Sequence, residues 1–428
     1  MEKRIYDEYV AILKEELVCA MGCTEPIAVA YCAALARKAL GALPERVSVA
    51  ASSNIIKNVK SVVVPNTGGA RGIAAAAAAG VVAGNADAQL EVLSSVTADE
   101  IEQMRAYLDA HDIAVSASEK PFVFDIQVRV EAGGHEASCE IAGSHTNVIF
   151  LEHDGEVLQK KEFSAEDEGD GTTTDRSLLG VDQIVEFAGI VDLADVSETL
   201  ERQISCNTAI AKAGMEGDWG ANIGSILLDA YGDEVHNRAK AWAAAGSDAR
   251  MGGCELPVVI NSGSGNQGIT ASVPVIVYAD QLGSTHEELL RALVVSNLVT
   301  IHLKTGIGRL SAYCGATSAG AGAAAGICYL MGGREREVAH TVVNAIAVDS
   351  GMICDGAKAS CAAKIASAVE AGLLGLQMQQ HGSEFYGGDG IVVKGVENTI
   401  HAVGVLAHDG MRETDRTIIN LMCGSGAC

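Results

Sequence analysis

The feature that most limits the folds open to this chain is its supply of small side chains. The run from Ile73 to Gly80 holds six consecutive alanines, and the 428 residues include 48 glycines against 4% aromatics. Alanine is the best helix former, and helices faced with alanine and glycine can bury surface by close approach rather than by interleaving large side chains. The expectation is a mainly α protein: an Ala/Gly-rich helical catalytic domain with a small inserted α/β domain. At this length one large domain or two ordinary ones can form.

Taken in order, Tyr9, Ile12, Leu13, Leu17 and Val18 follow a helical period near the start. Val47 to Pro65 reads as a short strand, a polar patch and a second strand. Val96 to Ala110 reads as a helix, and Phe122 to Glu131, Glu136 to Ile141 and Asn147 to Glu152 read as strands. These set the inserted α/β domain at residues 88–165 and the helical domain at 1–87 plus 166–428. Ser164 to Arg176 has the composition of a linker. Helical periodicity resumes through Leu179 to Met215 and after Cys361, and Ile391 to Leu406 alternates weakly.

A net charge of −25 argues against nucleic acid or an anionic membrane surface as partner, since both bind positive patches. No stretch approaches a transmembrane span, and the charged opening Met1-Glu2-Lys3-Arg4 is unlike a secretory leader. Twelve cysteines then read as reduced thiols and ligands in a cytoplasmic protein.

Cys314, Cys354 and Cys361 each lie in a Gly/Ala/Ser-rich break, forty and then seven residues apart. Soft thiolates select zinc, Cu(I) or iron–sulfur clusters, and closed zinc sites usually use paired short spacings that are missing here. The spacing resembles a cluster with one iron left open; three buried, inert cysteines are the alternative. Cys23 stands just before Thr24-Glu25-Pro26, a helix start, where the dipole should lower a thiol pKa. Two Gly-rich loops lead into helices: Asn66-Thr67-Gly68-Gly69 and Ser262-Gly263-Ser264-Gly265-Asn266. Facing each other, they would offer backbone N–H groups, Asn and Ser side chains to an amino acid.

The run Cys314-Gly-Ala with the following Ala/Gly tract, then Cys354-Asp355-Gly356 and Cys361, resembles the alpha domain of the iron–sulfur L-serine dehydratases. With Met21-Gly22-Cys23-Thr24-Glu25-Pro26 the closer resemblance is to the L-cysteine desulfidase family, over nearly the whole chain. That resemblance implies a [4Fe-4S] cluster on Cys314, Cys354 and Cys361, with L-cysteine converted to pyruvate, ammonia and sulfide without pyridoxal phosphate. Cys23, a helix-start thiol where the family is similar in having an important cysteine, is the candidate base for the α-proton, with a fourth cluster ligand or a packing residue as its other readings; Glu25 is a candidate for the substrate's ammonium group, with answering the helix dipole as its other reading. Ser144-His145-Thr146 is similar to an element of the serine dehydratases, which makes His145 a substrate-binding candidate. The terminal Cys428 is similar to a family cysteine that can occupy the open iron at rest. An L-serine dehydratase is the nearest alternative, and a homodimer is compatible with the family. A pyridoxal phosphate lyase would need a lysine shortly before Ser264, where the nearest is Lys240, and a non-enzymatic iron–sulfur sensor would need a partner surface that the charge disfavours.

Overall fold

The computed structural model describes residues 1–164, 173–308 and 311–423. The chain is mainly helical with a smaller mixed-sheet unit. It opens with α1 (Lys3–Glu16) and β1 (Cys19–Met21), and then enters the α/β unit. That unit holds α2 (Thr24–Leu40), β2 (Arg46–Ala51), α3 (Ser53–Val59), α4 (Gly72–Ala83) and α5 (Ala98–Ala110). Its remaining strands are β3 (Ala114–Ala117), β4 (Asp125–Ala132), β5 (His135–Ala142), β6 (Val148–His153) and β7 (Glu156–Lys160). The helical unit resumes with α6 (Val181–Ile190), α7 (Ser197–Glu216), α8 (Ile223–Tyr231), α9 (Val235–Met251) and the short β8 (Pro257–Val259). It continues through α10 (Gly265–Leu282), α11 (His286–Thr305), α12 (Gly315–Leu330), α13 (Glu335–Asp349), α14 (Ser360–Gln380), α15 (Val396–Val405) and α16 (Arg412–Cys423).

The six-stranded sheet runs β3-β2-β4-β5-β6-β7, with β2 and β3 parallel and the other pairs antiparallel. Val49, Val128, Cys139 and Leu151 lie in one row across four strands. Alternate residues of β4, Ile126, Val128 and Val130, are buried, as a sheet covered on one face requires. That covering includes α2, whose Ile27 to Ala36 joins the same core as the strand residues. The α/β unit therefore begins at α2, and the boundary expected at residue 88 falls inside one packed core. The displacement has a cause in β2: Arg46–Ala51 is hydrogen-bonded between β3 and β4, so this early strand belongs to the later sheet. The other expected boundary, near 165, lies outside the described residues.

A second core joins α1 to the helices from α6 onward. Its close packing comes from the small residues. A Cβ on Gly214 of α7 would stand 1.9 Å from the carbonyl oxygen of Ala245 on α9, and one on Gly80 of α4 would stand 2.2 Å from that of Ala30 on α2. The expected second strand near Val62 to Pro65 is absent; α3 occupies the polar patch, and only Val63 bridges, to Arg71. The weakly alternating Ile391 to Leu406 contains α15.

Candidate active site

Four helices begin at the wall of one cavity of about 110 Å³. Cys23 caps α2, Ser264 caps α10, Cys314 caps α12, and Cys361 is in the first turn of α14; all four residues line it. Each helix start carries roughly half a positive charge. Lys57, Arg250, Lys304 and Lys364 also line the cavity, where Glu25 is the one acidic lining residue among those described. The lining is thus net positive in a strongly acidic protein, although Lys57 and Lys364 are paired with Asp415 and Asp355.

Local pairing explains how distant segments meet there. β1 pairs antiparallel with β8, setting Met21 opposite Pro257 and so bringing Cys23 beside the Ser264 loop. Thr24 Oγ1 donates to the Gly263 carbonyl at 3.2 Å. The buried Arg250 donates from Nε to the Gly22 carbonyl at 3.0 Å and from Nη1 to Asn266 Oδ1 at 3.1 Å. On the other wall, Tyr313 and Ile353 form an isolated antiparallel bridge, the Cys314 N–H bonds the Met352 carbonyl at 2.9 Å, and the Cys354 N–H bonds the Ala312 carbonyl at 2.6 Å. Lys358 and Lys364 both pair with Asp355 and hold this loop; burial pushes the Asp355 carboxyl up, but the two lysines outweigh it and bring it down to about 2.

Cys314, Cys354 and Cys361 therefore share one cavity, as the sequence predicts, and all three are half-buried. Burial pushes the Cys314 thiol up to about 12, with the neighbouring Cys354 adding to it, and burial likewise raises Cys361. Without a cation the Cys314 and Cys361 sulfurs stay protonated. Two thiolates on one zinc are at most roughly 4.6 Å apart, given Zn–S bonds of about 2.3 Å. Among the described residues, the one trio of His, Cys, Asp or Glu ligand atoms within 4.8 Å of one another lies elsewhere. At least one pair of the three sulfurs therefore lies farther apart than the two ligands of a single zinc ion.

Cys23 is buried, and its Sγ donates to Glu25 Oε2 at 3.1 Å. Its thiol is pushed well above its usual value by burial and then by the Glu25 charge, which reverses the lowered pKa expected from the helix start. Burial also pushes the Glu25 carboxyl up, yet His145, the Cys23 thiol and Arg250 outweigh it and leave the group below the usual carboxylate range. Thr24 Oγ1 shares its one proton between the Gly263 carbonyl and Glu25 Oε2, and Glu25 Oε1 accepts from Asn58 Nδ2 at 3.1 Å. Glu25 is thus the hydrogen-bond partner of Cys23, and as the one acidic lining residue among those described it keeps acceptor capacity on Oε1 toward the cavity. His145, buried against Phe124, acts on Glu25 from behind and does not line the cavity.

Of the two Gly-rich loops, only the second reaches the site. Ser264 and Asn266 line it, whereas Ser262 turns its Oγ to Asn261 Oδ1. Asn66 donates to the Leu93 carbonyl, Thr67 to the Val64 carbonyl, and Gly68 accepts from Arg105. None of those three lines the cavity, because the first loop spends its polar groups inside the α/β unit. Lys240 pairs with Glu370 at 2.6 Å and does not line the cavity either. Cys428 lies outside the described residues. The pattern reading missed Lys57, Asn58, Arg250, Gln267, Lys304 and Lys364. Asp415 of α16 pairs with the buried Lys57, so the last helix packs beside the site.

Residues 87–420 match the family model described as serine dehydratase alpha chain. The chain is 57% identical to a UPF0597 protein of Desulfitobacterium hafniense, over 98% of this chain and 97% of that one. It is 49% identical to the UPF0597 protein of Lachnoclostridium phytofermentans, over 98% and 100%, and 44% identical to that of Treponema denticola, over 99% of each. The three cavity cysteines, Arg250 and His145 fall within the matched family segment, while Cys23, Glu25 and Lys57 precede it and lie in the span shared with these relatives.

Proposed function

Because this chain belongs to the serine dehydratase alpha chain family, we propose that it is a lyase that eliminates the β-substituent of a small L-amino acid, with L-cysteine as its substrate. In this reading Cys314, Cys354 and Cys361 hold a [4Fe-4S] cluster. The observation that carries it is the convergence of three thiols, four cations and four helix starts on one cavity. A thiolate-bound cluster and a substrate carboxylate are both anions, and that cavity suits both.

When bound, the cluster supplies a Lewis-acidic iron for the departing β-substituent. The chain's own residues do the rest. Arg250 and the backbone N–H groups at the start of α10 receive the substrate carboxylate, with Ser264 and Asn266 beside them. The proton on Cys23 Sγ passes along its hydrogen bond to Glu25 Oε2, and the thiolate then accepts the proton from the substrate Cα. His145 and Arg250 keep Glu25 ionised, so the proton rests on Cys23 Sγ and its passage to Glu25 is the uphill part of this step. The aminoacrylate released hydrolyses to pyruvate and ammonia without further catalysis. All ten cysteines with described side chains are free, which suits a reducing, cytoplasmic setting.

L-serine is the second reading, favoured by the description of the matched family. Anaerobically reconstituted protein assayed on both amino acids separates them. L-cysteine as substrate predicts equal amounts of sulfide and pyruvate at a higher kcat/KM than for serine. Pyruvate from serine alone supports the second reading, and turnover of neither by iron-loaded protein overturns both.

A further inference from the structure

The far end of the sheet carries a separate set of donors. β5 opens with His135, β6 closes with His153, and Asp154 begins the turn into β7. The strands pair with Ala137 opposite His153, which sets the two imidazoles on one edge with ring centroids 6.1 Å apart. His135 Nδ1 is 2.6 Å and His153 Nε2 is 3.6 Å from the same oxygen, Asp154 Oδ2. One ligand atom from each of the three residues lies within 4.8 Å of the others.

We propose that His135, His153 and Asp154 form a surface site for a borderline divalent transition-metal ion, of which zinc is the representative. Two imidazoles and a carboxylate are the donor set that zinc takes in sites with an open position, at about 2.0–2.2 Å from each atom. Tetrahedral ligation at that length needs donor separations of roughly 3.3 Å, which His153 to Asp154 already approaches and His135 to Asp154 reaches by opening less than about 1 Å, while the two imidazole donors start within 4.8 Å of each other. The carboxylate is held for this: Asp154 Oδ1 accepts the Glu136 N–H at 2.8 Å, leaving Oδ2 turned to the histidines. Such an outer contact orients a ligand and strengthens a site. The site is open to water, with the His135 side chain 66% and the His153 side chain 37% exposed. It is also remote from the cysteine cavity. β5 runs from His135 to Ala142 before the turn that carries His145, a separation of more than about 20 Å at 3.4 Å per residue.

The test is zinc titration of the cluster-loaded full chain against a chromophoric chelator. Wild type should bind one zinc per chain beyond its iron, and His153→Ala should weaken that equivalent by more than about 100-fold, beyond the loss expected for a mere outer contact. Asp154→Asn supplies a variant that keeps the turn: Asp154 has φ 49°, a conformation asparagine tolerates, and the amide oxygen can still accept from Glu136. It should lose the zinc as well, while zinc-free elimination stays unchanged in both variants. Equal zinc affinity in wild type and His153→Ala, or no zinc bound by wild type, overturns the proposal and leaves a plain ion-pair cluster.

Discussion

At Cys23 two effects oppose each other within one residue. A helix start favours a thiolate by up to about 2 kcal/mol in partly buried geometry, but Cys23 is buried beside an ionised carboxylate, and its thiol ends well above its usual value. Glu25 is therefore both the obstacle to the thiolate and, in the proposed reaction, the group that takes its proton. Glu25→Gln should lower turnover by about 10²–10⁴. It should also move alkylation of Cys23, followed by mass spectrometry in cluster-free protein, to lower pH, because a repelling charge has gone. Unchanged turnover with an unchanged alkylation profile would remove Glu25 from the chemistry. Cys23 and the three cavity cysteines were legible in the sequence because thiols set in glycine-rich breaks or at a helix start stand out from packing cysteines. Arg250 and Lys57 were not, since each sits inside an ordinary helix with nothing in its neighbours to mark it.

Between elements, small residues set how closely helices approach. Gly214→Ala would drive a methyl against the Ala245 carbonyl, and overpacking of this kind costs about 1–3 kcal/mol, readable as a lower Tm with the fold retained. A wild-type Tm in that variant would show that α7 and α9 have room to part. Glu397 ties α15 to two other elements, accepting from His302 at 2.6 Å and from the Val181 N–H at 2.8 Å. Burial pushes its carboxyl up, and these partners outweigh that and hold it below the usual range. A depressed carboxylate stabilises above its unfolded pKa of about 4.3, and that contribution fades as pH falls through the lower folded value. Glu397→Gln should thus lower Tm most near neutral pH, with the gap to wild type closing below about pH 4; a gap that is constant with pH would assign the loss to packing. The strand Asp125–Ala132 was readable from alternation, because Ile126, Val128 and Val130 face the core on one side. The helix Ser53–Val59 was hidden by its polar residues, whose partners, Glu25 for Asn58 and Asp415 for Lys57, are far away in the chain.

Over the whole molecule, the net charge of −25 conceals a cationic cavity where the α/β and helical units meet. Average composition describes the solvated surface, and only the fold shows where the cations go. The same holds for the domain boundary: the strand Arg46–Ala51 finds its partners more than sixty residues later, which no local pattern records. The central claim is that one cavity holds two separable devices, a thiol set that binds a cluster and the Cys23–Glu25 pair that moves a proton. The direct test is iron per chain measured beside the elimination rate in Cys23→Ala. The account predicts wild-type iron with turnover reduced by at least about 100-fold, whereas Cys361→Ala loses iron and turnover together. Iron lost from Cys23→Ala in step with activity would make Cys23 a ligand, and undiminished turnover would leave it no part in the reaction.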